Sequence, residues 1–400
     1  MGQEGLDLEL KPLTIFVGPN GSGKSTTLEA LAFIAQGFRL GEVTMPPRFS
    51  DPNNPLLLSY PSMEWFRHKR QPRSNPVLEL YLNLDQNDRE LLLRNAYASS
   101  RIPGPPMALG YWLHFKEDGN FSHGYDITGV RLECLGFPPS VFVEEERPGQ
   151  FGQRGGSSEP TSLLKKKLRN VFLITTLRGS FEKKTLLGEY SSRRELDPQW
   201  VGSTGEYTLH ILSKMTNIAY RQQIAKVKEW TERFGLVDLT SGWRKVAELD
   251  SEYLDDKFGS PLELDASGFG ARQILPIITQ LFWSPEGSVI MVEEPEISLH
   301  LALQLELPLL FADAISQGRQ VIATSQSELM LLGLRKAVRQ GNLHRDQIAV
   351  YEFEKTSTGV RAHALKVSTD GRVEGWIPGF IKVEDELFEE WIKGLPEEQT

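Results

Sequence analysis

Leu13-Thr-Ile-Phe-Val-Gly-Pro-Asn-Gly-Ser-Gly-Lys-Ser-Thr-Thr-Leu28 decides how the rest of this chain is read. Leu13 to Val17 is an apolar run broken only by the β-branched Thr14, which predicts a buried strand. Gly18-Pro19-Asn20-Gly21-Ser22-Gly23-Lys24-Ser25 then fills the pattern G-x-x-x-x-G-K-[ST] at each fixed position. From Thr26 to Gln36 the residues Leu28, Leu31, Ala32 and Ala35 recur at helical spacing, and Gly37 is the expected stop.

Strand, glycine-rich loop and helix in that order suit a phosphate chain. Backbone N–H groups at a helix start are donors already aimed at an anion. Gly18, Gly21 and Gly23 let the loop close round the phosphates without a Cβ in the way. Lys24 supplies a point charge to the β- and γ-phosphates, and the Ser25 hydroxyl is a Mg²⁺ ligand. Asn20, Gly21, Ser22, Gly23, Lys24, Ser25 and Thr26 are therefore the expected nucleotide contacts, with ATP and Mg²⁺ as the implied ligands. A turn that matches by accident would need neither the strand before it nor the helix after it.

Composition narrows the class. The 400 residues suit one elaborated domain or two, and 40% hydrophobic with 24% charged residues is ordinary for a globular chain. A formal net charge of −9 argues against a protein that coats nucleic acid with its whole surface, while leaving local basic patches open. The single cysteine, Cys134, excludes an internal disulfide and fits a reducing compartment. No charged start followed by an apolar run opens the chain, and no window reaches the ~18–20 apolar residues of a membrane span. The expectation is a cytoplasmic protein without a membrane partner.

Outward from the loop, Leu6-Asp7-Leu8-Glu9-Leu10 alternates with period two and predicts a half-buried strand. Residues 38–76 are proline-rich and irregular, and hold the basic cluster Arg67-His68-Lys69-Arg70-Gln71-Pro72-Arg73 beside Trp65 and Phe66. That cluster reads either as a phosphate-backbone contact with aromatic neighbours or as a solvated loop. Strands are expected at Val77–Leu84, Met107–Lys116, Phe121–Leu135 and Val141–Val143, with a helix-compatible Gln86–Ala98 among them. Arg147 to Ser162 is rich in Gly, Ser, Pro and Gln and predicts a loop. Val171 to Thr176 is a further strand, and helices are expected over Tyr207–Met215 and Ile218–Phe234, the latter with Ile224, Val227, Trp230 and Phe234 on one face.

The second half of the site is Val289-Ile290-Met291-Val292-Glu293-Glu294-Pro295-Glu296. A buried parallel strand reads this way, with carboxylates emerging at its C-terminal edge. Phosphoryl chemistry needs one acid to hold Mg²⁺ and another to orient or deprotonate water, and adjacent acids on a strand end point to different sides. Glu293 and Glu294 fit those two roles. Upstream, Asp265-Ala266-Ser267-Gly268-Phe269-Gly270 precedes an apolar helix, Ile274 to Trp283, and is either a second phosphate-binding helix start or an ordinary cap made by Ser267. Downstream a helix is expected from Leu301 to Ser316, then a strand, Gln320 to Ser325, ending at Gln326.

Together these residues resemble the ABC-type ATPases, and within them the branch that holds the SMC proteins and the OLD-family ATPases. Gly18 to Ser25 match Walker A, and Val289 to Glu294 look like Walker B. Glu293-Glu294-Pro295-Glu296 followed by Leu299-His300 is similar to the E-E-P-E-x-x-L-H pattern of OLD-like proteins, in which Ser298 to His300 lie in the D-loop. Ser267 to Gly270 sit where the family carries its signature, as Ser-Gly-Phe-Gly rather than Leu-Ser-Gly-Gly-Gln. Gln326 takes the place of the switch histidine. Val201-Gly202 to Gly205-Glu206 and Leu177-Arg178-Gly179 also look like elements of OLD-related ATPases. The resemblance runs from about Leu6 to Phe380.

It implies an α/β, ABC-type P-loop NTPase head, with a mixed central sheet, an antiparallel β subdomain and a helical insertion. The implied segments are an N-terminal ATPase lobe at 1–160, the insertion at 161–262 and a C-terminal lobe at 263–400. Glu294 and Gln326 are the implied catalytic residues, Ser25 and Glu293 the metal ligands. Ser267, Gly268 and Gly270 would complete the nucleotide site of a second copy, giving a homodimer closed on ATP. Such a head drives a client, here a nuclease or other effector protein, with DNA or RNA a further candidate partner and defence a fitting setting.

The departures from the family point the other way. Gln326 hydrogen-bonds but carries no proton, which opens the alternative of a slowly hydrolysing sensor or scaffold that clamps a partner. No D-x-D motif for a Toprim nuclease domain and no sustained heptad run for SMC arms occurs. A small-molecule P-loop kinase is a third reading, but has no use for a Ser-Gly signature and an acid pair.

Overall fold

β1 (Leu13–Val17) is buried at every residue because it sits inside a sheet covered on both faces. The protein is described here by a computed structural model covering residues 6–39, 77–83, 85–88, 108–115, 121–127, 130–133, 159–181, 199–245, 248–254, 259–357 and 359–374. β1 pairs in parallel with β11 (Gln320–Ser325) on one side and β12 (Ile348–Thr356) on the other. Beyond β11 come β10 (Val289–Glu293) and β6 (Val171–Ile174), both parallel. Beyond β12 the sheet turns antiparallel through β13 (Gly359–Val367) and β14 (Val373–Glu374). The order of the seven is β14-β13-β12-β1-β11-β10-β6.

The alternation of side chains in β1 divides the core between two layers. Leu13, Ile15 and Val17 join Ile290, Val292, Val321 and Ala323 against α5 (Phe269–Trp283) and α7 (Leu307–Ser316). Phe16 faces the other layer with Leu28 and Ala32 of α1 (Lys24–Arg39), Leu173, Met291, Tyr351 and Phe353. One five-residue strand thus fastens helices to both faces.

Two smaller antiparallel sheets flank this body. β2 (Val77–Asn83), β3 (Ala108–Phe115), β4 (Phe121–Ile127) and β5 (Val130–Glu133) form a four-stranded meander in the region expected to be antiparallel. The second, β7 (Val237–Lys245), β8 (Glu248–Leu254) and β9 (Pro261–Glu263), lies in the segment that reads as helical in the sequence. That segment does carry α3 (Thr208–Met215) and α4 (Arg221–Arg233), with α2 (Glu159–Leu168) at its start. Its helices are followed by strands because β7 alternates Val237, Leu239, Ser241 and Trp243, a period-two signal blurred by Ser241 and Gly242.

Other boundaries also move. α1 runs through Gly37 to Arg39, since packing against α2 and β6 outweighs the ~1 kcal/mol a helical glycine costs. Leu6–Leu10 alternates in exposure but joins no strand among the described residues; the Tyr351 hydroxyl holds it by accepting from Glu9 N–H and donating to Glu9 C=O, each at 3.0 Å. The single helix expected over Leu301–Ser316 is two, α6 (Leu301–Gln304) and α7, because Pro308 fits only a first turn. α8 (Glu328–Arg339) follows β11. The Arg67–Arg73 cluster, Cys134, Val141–Val143 and most of Gln86–Ala98 lie outside the described residues.

Candidate active site

Where β1 ends, Gly18, Gly21 and Gly23 take φ of 137°, 72° and 97°, a region closed to most side chains. A Cβ on Gly18 would come within 2.3 Å of the Phe353 carbonyl oxygen on β12, so only glycine fits there. The loop coils over Lys24, whose Nζ donates to the carbonyls of Gly18 (2.7 Å) and Pro19 (2.9 Å). Burial lowers the Lys24 pKa, while the nearby Glu294 and Glu296 act to raise it. Asn20, Gly21, Ser22, Gly23, Lys24, Ser25, Thr26, Glu294 and Val360 line one cleft of about 270 Å³.

β10 delivers the acids to the rim of this cleft. Glu293 is 5% exposed; its Oε2 accepts from Thr176 N–H at 3.2 Å, and the Ser25 hydroxyl donates to the same carboxylate. Burial raises its pKa, Glu294 adds to the rise, and Ser25, Thr176 and Arg178 oppose it. Glu293 Oε1 and Ser22 Oγ are buried with no hydrogen-bond partner. Glu294 has φ 41°, and its N–H donates to the Thr324 carbonyl (3.0 Å) and hydroxyl (3.1 Å) on β11. Gln326, leaving β11, donates its amide to Glu294 Oε1. The structure thus brings the phosphate loop, Glu293, Glu294 and Gln326 together.

Ser25 and Glu293 are the residues that fit a hard divalent cation. Their oxygens meet at the cleft, and Glu293 Oε1 is left without a donor. Among the described residues no group of three His, Cys, Asp or Glu side chains stands ready for a metal. Mg²⁺ needs no such cage, since it takes its remaining ligands from phosphates and water.

Three residues escaped functional assignment from sequence. Arg178 is 3% exposed and spends its guanidinium on backbone carbonyls: Gln273 (3.0 Å), Thr175 (3.0 Å), Glu293 (2.6 Å) and Glu294 (2.8 Å). Burial lowers its pKa to about 10, against the pull of Glu296, Glu293 and Glu294. Glu296 is buried, and Glu29 on α1 has its pKa raised to about 7, first by burial and then by Glu293. The sequence marks Arg178 only as a charge after a hydrophobic strand, in the Leu177-Arg178-Gly179 stretch that looks like an element of OLD-related ATPases, and gives it no role.

The signature residues are placed elsewhere. Ser267, Gly268 and Gly270 are not among the residues lining the cleft. Gly268, not Ser267, caps α5; the Ser267 hydroxyl donates instead to the Leu264 carbonyl. Gly270 lies against the Ser298 backbone, where a Cβ would meet the carbonyl oxygen at 2.5 Å, while Ser298 itself has φ 61°. The helix start and the turn after β10 are therefore in backbone contact. No helix among the described residues is long and apolar enough to cross a membrane.

The family profile described as "AAA domain, putative AbiEii toxin, Type IV TA system" matches residues 65–332, and a second AAA-domain profile matches residues 2–45. None of the curated proteins matches the chain. Among solved structures, an SMC head bound to the C-terminal winged-helix domain of ScpA is 12% identical, with a TM-score of 0.47 over 90% of this chain and 93% of that one. The SMC head domain of Thermotoga maritima is 11% identical, with a TM-score of 0.41 over 90% of this chain and 93% of that one. An SMC head from Pyrococcus furiosus with an extended coiled coil, bound to the C-terminal domain of ScpA, is 11% identical, with a TM-score of 0.44 over 97% of this chain and 95% of that one. The first profile spans about two thirds of the chain, and the chain belongs to that AAA-domain family as an ATP-hydrolysing P-loop NTPase.

Proposed function

We propose that two copies of this ATPase close around ATP and Mg²⁺, and that turnover drives or gates a nuclease or other effector acting on DNA or RNA. One observation carries the reading: Asn20 to Thr26 and Glu294 line a shared cleft, whereas Ser267, Gly268 and Gly270 stand outside it. In this reading the Lys24 amine leaves the Gly18 and Pro19 carbonyls for the β- and γ-phosphate oxygens. Ser25 and Glu293 are the residues that would hold a Mg²⁺, which would supply neutralisation of phosphate charge. Glu294 orients a water and accepts its proton as ATP is cleaved to ADP and phosphate. Gln326 steadies the γ-phosphate through its amide. Ser267 and Gly268 offer the free N–H groups of the α5 start to the γ-phosphate held by the second copy. Gly270 serves that face by keeping α5 close to Ser298. The segments 1–160, 161–262 and 263–400 are the lobes proposed to carry these parts. A defence setting accords with the toxin system named in the family description.

A second reading, a nucleotide-gated sensor with slow turnover that clamps a partner, is favoured by the Gln326 amide engaging an oxygen of Glu294. Steady-state hydrolysis separates the two: robust turnover supports the engine, tight ATP binding with negligible turnover the sensor.

Mixing Lys24→Ala with Ser267→Arg protein tests the shared site. Each alone should be inactive. A heterodimer collects both defects in one composite site and leaves the other intact, so mixing should restore part of the activity. Silence despite proven heterodimers would remove Ser267 from the second copy's chemistry or require both sites to fire together, and full activity of Ser267→Arg alone would remove it outright.

A further inference from the structure

We infer that Glu296 is a positioning residue for hydrolysis, holding the segment Ser325–Ser327 so that the Gln326 side chain meets Glu294 at the cleft. The inference rests on the role proposed above for Gln326. Glu296 lies two residues past Glu294, in the turn where Ile297 N–H donates to the Glu294 carbonyl at 3.1 Å. It is 8% exposed and does not line the cleft, so it has no direct path to nucleotide.

One oxygen does the holding. Glu296 Oε1 accepts from the Ser325 hydroxyl (2.8 Å), the Gln326 N–H (2.7 Å) and the Ser327 N–H (3.2 Å). Three consecutive residues are thereby fixed by a single carboxylate that comes from the turn after the neighbouring strand β10. Ser327 is in turn the cap of α8, accepting from Met330 N–H, and its hydroxyl donates to Gln304 at 2.6 Å. A negative charge at the start of a twelve-residue helix is favourably placed. The return stitch runs the other way, from Glu294 N–H to the Thr324 carbonyl and hydroxyl. With the backbone pinned on both sides of residue 326, the Gln326 amide has a fixed origin from which it reaches Glu294 Oε1.

A neutral residue would tie a loop at lower cost. Burying a carboxylate costs several kcal/mol unless donors and cations compensate it. Here three donors share Oε1 and Arg178 and Lys24 both feel the Glu296 charge, yet burial still raises its pKa and Oε2 is buried without a partner, so the tie is held at a cost. A rigid loop end of this strength is what a hydrogen bond to a phosphate oxygen requires, because a 1 Å misplacement is enough to lose about 10²-fold in rate.

The test is a double-mutant cycle on kcat in steady-state ATP hydrolysis. Gln326→Ala should lower kcat by on the order of 10²-fold, the usual loss for one donor to developing charge. Glu296→Ala should lower kcat by about tenfold or more, with KM for ATP within about twofold. In the Gln326→Ala background the same change should move kcat by less than about twofold, since nothing is left to position. Glu296→Gln keeps an acceptor oxygen at the same reach and should lose less than the alanine variant; it replaces that variant in the cycle if Glu296→Ala does not fold. Equal fold-losses in both backgrounds, with Gln326→Ala impaired, would overturn the positioning role alone. A wild-type kcat in Gln326→Ala would overturn the role of Gln326 itself.

Discussion

Arg178→Ala should weaken the fold and silence the acids while sparing the phosphate loop. The guanidinium satisfies four backbone carbonyls, on Gln273, Thr175, Glu293 and Glu294, at 2.6–3.0 Å. Each carbonyl stranded away from water costs roughly 1 kcal/mol or more, giving about 4 kcal/mol for the set. That agrees with the ~3–5 kcal/mol seen when one member of a buried charged network is removed. The loss also strips a cation from beside Glu293, Glu294 and Glu296. Urea unfolding should show a midpoint lower by about 1 M or more, given a slope near 3 kcal/mol/M. Lys24 makes no bond to Arg178, so a fluorescent ATP analogue should still bind while turnover falls. Arg178→Lys offers donors from one nitrogen, cannot span α5 and the end of β10 together, and should recover no more than part of the loss. An alanine variant with the wild-type midpoint and wild-type turnover would refute the clamp.

Lys24→Ala should abolish binding of the same ATP analogue, because the charge opposite the β- and γ-phosphates is gone; near-normal affinity would remove Lys24 from the site. Gly270→Ala should cost about 1–3 kcal/mol by forcing a Cβ onto the Ser298 carbonyl, whereas Gly268→Ala, with nothing within 4 Å of its Cβ, should leave the urea midpoint unchanged. Equal midpoints for the two would show that α5 and the Ser298 turn are not in the stated contact. His210, buried on α3, has its pKa lowered to about 4 from 6.5, by burial and then by Lys214. Its folded form resists protonation, so this contribution to stability is complete above pH 6.5 and is lost as pH falls toward 4. His210→Leu should flatten the fall in urea midpoint across that window; an unchanged slope would count against a neutral, buried imidazole.

The parts of the site that were legible in sequence are those that physics writes locally. A five-residue apolar strand, glycines at positive φ and a following helix lie within one short window, as do β10 and its acids. Arg178 was not legible as a clamp because its partners stand as much as 116 residues away and are carbonyls, which every residue has. Glu296 was hidden for the same reason, its donors lying about 30 residues further on. The reach of α1 past Gly37 depended on α2, and the strands β7 and β8 on each other. Local propensity speaks for an element; only pairing tells where it ends.

The central place of β1 has a consequence for how the protein is made. Leu13 pairs with Val321 on one side and with Ile348 on the other, so neither neighbour exists until most of the chain has left the ribosome. At roughly 5–20 residues per second, the first strand waits on the order of 15–60 s for its nearer partner. During that interval an apolar strand with two bare edges, already joined to its phosphate loop, has no native sheet to enter. Pairings of such sequence separation are slow to form even in a finished chain. The nucleotide loop that follows β1 is thus made roughly 300 residues ahead of the strands that flank it, and is among the last parts of the site to become competent.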